Sequence, residues 1–351
     1  MDKLKVGIIG CGNIFPMHAE SIRQNKKGLI KAVCDIKPGK AKKSSKKYKA
    51  ACYTDYKKML KKEKLDVVHI CTPHYLHKDM SIESLRSGVN VLQEKPMALN
   101  LKEAFKIAME AKKSNKKYGI VFQNRFTPAA LLSKRIISTG KIGKILSGKL
   151  FLTWHKPDSY YAKSDWKGTF DKEGGGVVID QAIHSLDLLR WLFESDIKYV
   201  EASVFNRLHD VVKVEDEASG VVMFKSGAYI NFYTMNHYSY DDDVVMEIHG
   251  EKGRIKIVKD SAKIYFYSGR NLSVKPRTED YIDYGNGVKD YWGVCHSLLI
   301  DRFYDAVIKN KKIEINEDEG LKTQALVEAI YESSRINARL VLSDFIKNFS
   351  R

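Results

Sequence analysis

The chain opens with short apolar runs set between helical patterns. Lys5–Gly10 (KVGIIG) reads as a buried strand, and Ile30–Asp35 (IKAVCD) as another. Asp66–Cys71 (DVVHIC), Asn90–Gln93 and Gly119–Gln123 (GIVFQ) continue the series. Between them, Ser81–Leu85 and Leu101–Ala111 show helical spacing, with Gly88 as a stop. Strand–helix alternation predicts a parallel, doubly wound sheet with helices on both faces.

From about residue 125 the pattern changes. A helix over 128–139 is followed by strand-like runs at Lys144–Trp154, Tyr199–Phe205, Ala218–Phe224, Ala228–Tyr233, Val244–His249, Arg254–Val258 and Lys263–Tyr267. Turns such as Phe224–Gly227 and Gly250–Gly253 separate them, which predicts a mostly antiparallel sheet. Helices at His296–Lys309 and Gly320–Ser343 close the chain. The expected domains are 1–124 and 125–351, within the usual scale of roughly 100–200 residues each.

Composition narrows the setting. No apolar run approaches the ~20 residues that span a bilayer, and the N-terminus runs directly into a strand pattern without a signal-peptide core. The five cysteines are scattered, odd in number and form no CxxC. They fit buried thiols in a reducing, cytoplasmic compartment better than disulfides or a zinc site. The net charge of +17 raises a nucleic-acid role, but it comes from 47 lysines and only 13 arginines. Lysines strung along amphipathic helices read as solvated faces, and no nucleic-acid or membrane partner is expected. An anionic substrate would use part of this field.

Gly10-x-Gly12-x-x-Phe15 follows a strand and opens a helix, the setting in which a glycine turn lets backbone approach a pyrophosphate. The third glycine of that fingerprint is replaced by Phe15. Asp35 ends the next long strand, where a carboxylate would accept the adenosine ribose hydroxyls and repel a 2′-phosphate. NAD is therefore favoured over NADP, although Lys37 tempers this and Asp35 could equally cap a helix. Thr72, Pro73 and His77 follow one strand at the cofactor edge, and Glu94-Lys95-Pro96 follow another, so Lys95 could meet nicotinamide and substrate. Asp180 and His184, at i and i+4 behind Gly174–Gly176, share a helical face, and Asp187 lies three residues beyond His184. A carboxylate beside an imidazole orients its tautomer and raises its basicity. Asp-xxx-His could also pair on a metal, but no third ligand is evident and no metal is expected. The aromatics Trp154, Tyr160, Tyr161 and Trp166 could stack on a sugar or fill a core.

Together GCGNI (10–14), TPHYLH (72–77), EKPMALN (94–100), QNRF (123–126), WKGTF (166–170) and GGGVVIDQAIHSLDLLRWL (174–192) resemble the glucose–fructose oxidoreductase / inositol dehydrogenase / rhizopine-catabolism (Gfo/Idh/MocA) family over nearly the full chain. The resemblance implies an N-terminal Rossmann domain and a C-terminal α/β domain whose large open sheet makes a homodimer or homotetramer. It implies cofactor contacts from Gly10, Gly12, Asn13, Ile14, Phe15, Asp35, Thr72, Pro73, His77, Glu94, Lys95, Gln123, Trp166 and Lys167. Substrate contacts would come from Asn124, Arg125, Trp154, Tyr161, Asp180, His184, Tyr291 and His296, and catalysis from Lys95, Asp180 and His184. Lys167 stands where relatives carry Arg, and Asp180 where many carry Asn. The implied activity is NAD-dependent oxidation or reduction of a secondary carbinol in a sugar, nucleotide sugar or inositol. NAD-assisted glycoside cleavage and a non-catalytic nicotinamide-binding regulator are the alternatives.

Overall fold

The computed structural model describes residues 2–276, 282, 284 and 295–349. The chain divides into two compact units. The first comprises Met1–Ala98, Lys102–Gln123 and Arg277–Leu321, the second Leu99–Leu101, Asn124–Pro276 and Lys322–Arg351.

The first unit holds strands β1 (Leu4–Ile9), β2 (Gly28–Cys34), β3 (Ala51–Tyr53), β4 (Val67–Ile70), β5 (Asn90–Gln93) and β6 (Tyr118–Ile120), with helices α1 (Phe15–Gln24), α2 (Pro38–Tyr48), α3 (Tyr56–Lys62), α4 (His77–Arg86) and α5 (Leu101–Ser114). The sheet order is β3-β2-β1-β4-β5-β6, and every pairing is parallel. All four residues of β4 are buried, as expected of a strand covered on both faces. Local chemistry sets the helix starts. Pro38 opens α2, and the Asp55 carboxylate caps α3 by accepting from the Lys57 and Lys58 amides.

Strand β3 has no counterpart in the sequence reading. Its three residues sit at the sheet edge behind a lysine-rich helix, too short to show a period. The helix His296–Ile308 also packs in this unit, against α1, although the sequence pattern places it beyond residue 125. Glycines on two strands make room for it. A Cβ on Gly28 would stand 2.7 Å from the Tyr304 ring, and one on Gly119 2.9 Å from the Phe303 ring.

The second unit is built on nine strands: β7 (Ile145–Thr153), β8 (Ile197–Phe205), β9 (Glu217–Phe224), β10 (Tyr229–Met235), β11 (Val245–Gly250), β12 (Gly253–Val258), β13 (Ser261–Phe266), β14 (Asn271–Val274) and β15 (Leu340–Val341). Its helices are α6 (Pro128–Ser138), α7 (Asp158–Ala162), α8 (Ile183–Leu192), α10 (Glu317–Ile336, shared with the first unit) and α11 (Leu342–Lys347); His296–Ile308 is α9. The sheet order is β14-β13-β12-β11-β7-β10-β9-β8-β15. The expected antiparallel pairing holds except between β7 and β10, which run parallel, so the sheet is mixed. One face is covered: Ile230 and Phe232 are buried in β10 while Tyr229 and Asn231 between them are exposed.

Two helices differ from expectation. The last long one ends at Ile336 rather than Ser343, because Asn337 turns left-handed (φ 49°) and Ala338 N–H returns to the Ser333 carbonyl. The segment behind the glycine run begins as a π-helical turn, Val178–Ala182, before α8 takes over. Among the described residues no helix is long and apolar enough to cross a membrane.

Candidate active site

Parallel strands deliver their carboxyl ends to one edge of the first unit. Gly10, Asp35, Thr72 and Glu94 stand just beyond β1, β2, β4 and β5, and Gln123 beyond β6. Gly10 has φ 95°, and a Cβ there would collide with the Cys71 carbonyl, so the turn needs glycine twice over. A Cβ on Gly12 would meet nothing within 4 Å, leaving an open approach to the backbone. Asn13 is exposed and Ile14 half-buried. Phe15, in place of the third glycine, is buried and packs edge-on against Tyr48 at 5.7 Å. The Asp35 carboxylate ties this loop to β2. Its Oδ2 accepts from Cys11 N–H at 2.9 Å and its Oδ1 from Lys37 N–H at 2.8 Å. Each oxygen keeps a further lone pair for a ribose hydroxyl. These features fit a dinucleotide.

His77 is fully buried and stitches two loops. Its Nε2 faces the Thr72 carbonyl at 2.9 Å and its Nδ1 the Pro96 carbonyl at 2.8 Å, with the Gln93 amide 3.2 Å from Nδ1. Burial lowers its pKa, opposed by the Pro96 and Thr72 carbonyls. Gln93 also donates to the carbonyls of Glu94, Pro96 and Met97 at 3.0, 2.9 and 2.9 Å. The Lys95–Pro96 peptide is cis. In the run 91–98, Lys95 alone escapes burial. Glu94 Oε1 accepts from His18 and His296, so His296 lies on Glu94 within the first unit. The Gln123 side-chain oxygen is buried and has no partner among the described residues. Tyr291 lies outside the described residues.

In the second unit the glycine run is held by Glu215. Its Oε2 accepts from Gly176 N–H at 2.8 Å, and its Oε1 from Val178 N–H at 3.0 Å and Tyr331 O–H at 2.8 Å. Burial nevertheless pushes its carboxyl up to about 7. From residue 175 to residue 190, only Asp180 and His184 escape burial. Asp180 Oδ2 accepts from Lys167 at 2.5 Å, Gln181 at 2.7 Å and Tyr160 O–H at 2.8 Å. Lys167 also reaches Glu173 at 3.2 Å and lies over the rings of Tyr160 and Trp166 at 4.7 and 4.5 Å. Burial works against the Lys167 ammonium, but Asp180, Tyr160 and Glu173 outweigh it and hold its pKa well above the usual value. Burial, opposed by Lys167, pushes Glu173 up to about 7.

Asp187 does not serve His184. It is buried and takes a two-bond fork from Arg125, 2.7 Å to Oδ2 and 2.6 Å to Oδ1, with Thr323 O–H at 2.6 Å. Burial raises the Asp187 carboxyl, but Arg125 overrides it and the pKa falls below the ordinary value. Asn124, just before Arg125, is half-buried in the turn Gln123–Phe126. Tyr161 is a core residue, clustered with Val212 and Val214 and accepting from Asn236 at 2.7 Å. Trp154 donates from Nε1 to Asp242 O at 3.1 Å. The sequence reading left out Tyr160 as a named site residue, along with Glu173, Gln181 and Glu215. Only the Tyr160-Tyr161 pair was visible, and nothing in it told the inward ring from the one facing Asp180.

A strand order of this kind with a glycine turn and a strand-end carboxylate defines a dinucleotide-binding oxidoreductase architecture. The family described as "Oxidoreductase family, NAD-binding Rossmann fold" matches residues 4–122, and the GFO/IDH/MocA C-terminal domain matches 131–256. The chain belongs to the Gfo/Idh/MocA family, and its N-terminal domain is an NAD-binding Rossmann domain. It is 25% identical over 257 residues to the myo-inositol 2-dehydrogenase of Thermotoga maritima, covering 72% of this chain and 74% of that protein. The WlbA dehydrogenase of Chromobacterium violaceum, solved with NADH and UDP-GlcNAcA, is 28% identical with a TM-score of 0.84, covering 97% of this chain and 96% of that one. The Bordetella pertussis WlbA dehydrogenase, solved with the same ligands, is 25% identical with a TM-score of 0.84, covering 97% and 99%.

Two outcomes follow for stability. Asp187→Ala strands a buried guanidinium and should cost about 3–5 kcal/mol, read as a fall in the thermal midpoint; Arg125→Leu/Asp187→Leu should recover much of it. Glu215 binds its proton more tightly folded, at about 7, than at its ordinary 4.5. Its contribution is therefore full below pH 4.5 and lost as pH rises through about 7. Relative to Glu215→Gln, the wild type should lose thermal stability between about pH 5 and pH 8; a pH-independent difference would refute this.

Proposed function

We propose that the protein is an NAD-dependent dehydrogenase acting on a secondary hydroxyl or ketone carbon of a sugar, nucleotide sugar or inositol. One observation carries the reading. In two otherwise buried runs, the residues left out of the core are Lys95 in the first, and Asp180 and His184 in the second. Rigid elements that bury every neighbour and spare an amine, a carboxylate and an imidazole are built for proton handling.

Bound NAD supplies the hydride acceptor or donor. Gly10, Gly12, Asn13, Ile14, Asp35, Thr72, Pro73 and the unpartnered Gln123 oxygen are the groups suited to hold it. Phe15 and His77 support those loops from within. His184 takes the hydroxyl proton during oxidation and returns it during reduction. Lys95 polarises the same oxygen and stabilises its alkoxide character. Asp180 has three donors on one oxygen, one of them the Lys167 ammonium at 2.5 Å, so it orients rather than accepting the proton. The substrate class favoured is an anionic nucleotide sugar, on the ligands of the two WlbA structures and the +17 charge of this chain. A cytoplasmic setting is supported by five free cysteines. Self-association through the nine-stranded sheet is supported by Phe151 and Tyr229, which lie 44% and 38% exposed.

The test is NADH formation across a panel of inositols, free sugars and UDP-sugars, with no turnover on any of them as the refuting result. Lys95→Ala and His184→Ala should each lower turnover by about 10²–10⁴-fold while NAD-dependent thermal stabilisation survives. If His184→Ala turned over normally and Lys95→Ala did not, Lys95 would be the base. The Asp35 prediction concerns cofactor choice. Calorimetry should show NAD binding several-fold tighter than NADP, and Asp35→Ser should narrow or invert that ratio, Lys37 then being free to meet a 2′-phosphate. Tighter NADP binding by the wild type would refute it.

A further inference from the structure

A chain of buried polar groups runs through the first unit and ends next to Lys95. Tyr304 O and His69 Nε2 are 3.0 Å apart, and His69 Nδ1 and His18 Nδ1 2.8 Å. His18 Nε2 lies 2.8 Å, and His296 Nε2 3.1 Å, from Glu94 Oε1. Tyr304, His69 and His18 are wholly buried, His296 and Glu94 nearly so.

Only one direction of donation suits this chain. Glu94 accepts, so both Nε2 atoms facing it carry hydrogen. His18 Nδ1 is then bare and accepts from His69 Nδ1–H, and His69 Nε2 accepts from the Tyr304 hydroxyl. In this direction His18 and His69 are neutral and the Glu94 carboxylate is charged. Burial lowers the pKa of both His18 and His69, and the His18 and His296 contacts override burial to hold Glu94 well below its ordinary range. The contact of His18 with Glu94 is therefore a hydrogen bond to a carboxylate rather than an ion pair.

Three imidazoles, a phenol and a carboxylate are a costly way to fill a core that apolar side chains would pack well. A proton path is excluded because the chain ends at Tyr304, with no exposure to solvent. His18, Glu94 and His296 offer three ligand atoms within 4.8 Å of one another, a spacing that could hold a cation. A cation would need the lone pairs of both Nε2 atoms and would force a hydrogen onto His296 Nδ1, which is buried without a partner among the described residues. Hydrogen-bonded tautomers satisfy the cluster better. What the chain holds is the carboxylate of Glu94, the residue before Lys95.

We propose that Tyr304, His69, His18 and His296 are positioning residues that act through Glu94 to fix the backbone presenting Lys95. The proposal rests on the catalytic reading of Lys95. His69→Leu cuts the chain, His69→Gln keeps one donor and one acceptor in its place, and Tyr304→Phe removes only the terminal hydroxyl. On a substrate turned over by the wild type, His69→Leu should lower kcat at least tenfold and Tyr304→Phe a few-fold. KM and the fluorescence-measured Kd for NADH should hold within about twofold, and His69→Gln should recover most of the loss. Amide hydrogen exchange at Lys95 should quicken in Tyr304→Phe while β1 and β4 keep their protection.

A fall in thermal midpoint with wild-type kcat in all three variants would make the chain a structural network and overturn the proposal. So would unchanged exchange at Lys95, or a stoichiometric metal in the purified protein that His296→Gln removes. If Lys95→Ala kept full turnover while exchange at Lys95 responded to Tyr304→Phe, the catalytic reading would fail and the positioning network would stand. If His69→Leu does not fold, Tyr304→Phe and His69→Gln decide the matter.

Discussion

A buried loop must find a donor for each carbonyl it takes out of water, and at the end of β5 one side chain meets most of that demand. Gln93 is held at its oxygen by the Ser81 and Tyr118 hydroxyls, at 2.6 and 3.0 Å. Two hydroxyl donors on the oxygen leave the NH2 end facing the carbonyls of Glu94, Pro96 and Met97. Replacing the amide would strand several polar groups in a region with no water to take over, at a cost of about 1–3 kcal/mol each. The same amide reaches His77, whose other ring nitrogen faces Thr72 O, so the loops after β4 and β5 are tied together. Lys95 is the side chain of this loop that the core does not absorb.

The second unit solves the same problem with a charge. Three donors converge on Glu215, two of them backbone N–H groups at the start of the turn that carries Asp180. Gly176 has no room for a Cβ against the Glu215 carbonyl, so the backbone sits tight on that segment. The turn that follows is π-helical, a form that recurs at functional positions because it widens the helix locally. An amide holds one loop without electrostatic cost. A carboxylate holds the other at the cost of a carboxyl displaced to about 7.

The legible features were those with a local signature. The glycine turn, the strand-end Asp35, the Lys95 loop and the Asp180/His184 spacing all announce themselves within a few residues. Partnerships across long separations did not. Arg125 meets Asp187 through the packing of a turn against α8, and no spacing 62 residues apart can show that. Tyr161 and Tyr160 are neighbours with opposite fates, one in the core and one on Asp180, because a short helix absent from the sequence reading sends their rings apart. His18 and His69 lay inside helix and strand patterns as unremarked polar residues. A histidine in the fully apolar run Val67–Ile70 was the available sign that something buried needed a partner.

The pairing of Lys167 with Asp180 sets an ammonium directly against a carboxylate. The resemblance implies Arg and often Asn at these two positions, and this chain carries Lys and Asp. An Asn-to-Asp change alone would add a half-buried negative charge beside Glu173. A compact ammonium 2.5 Å from one Asp180 oxygen cancels it, and does so from between two aromatic rings where a planar guanidinium would need a second acceptor to match its fork. Burial, opposed by Lys167 and aided by Asp180, pushes the Glu173 carboxyl up to about 7. The charge on this side of the second unit is thus settled among Lys167, Asp180 and Glu173.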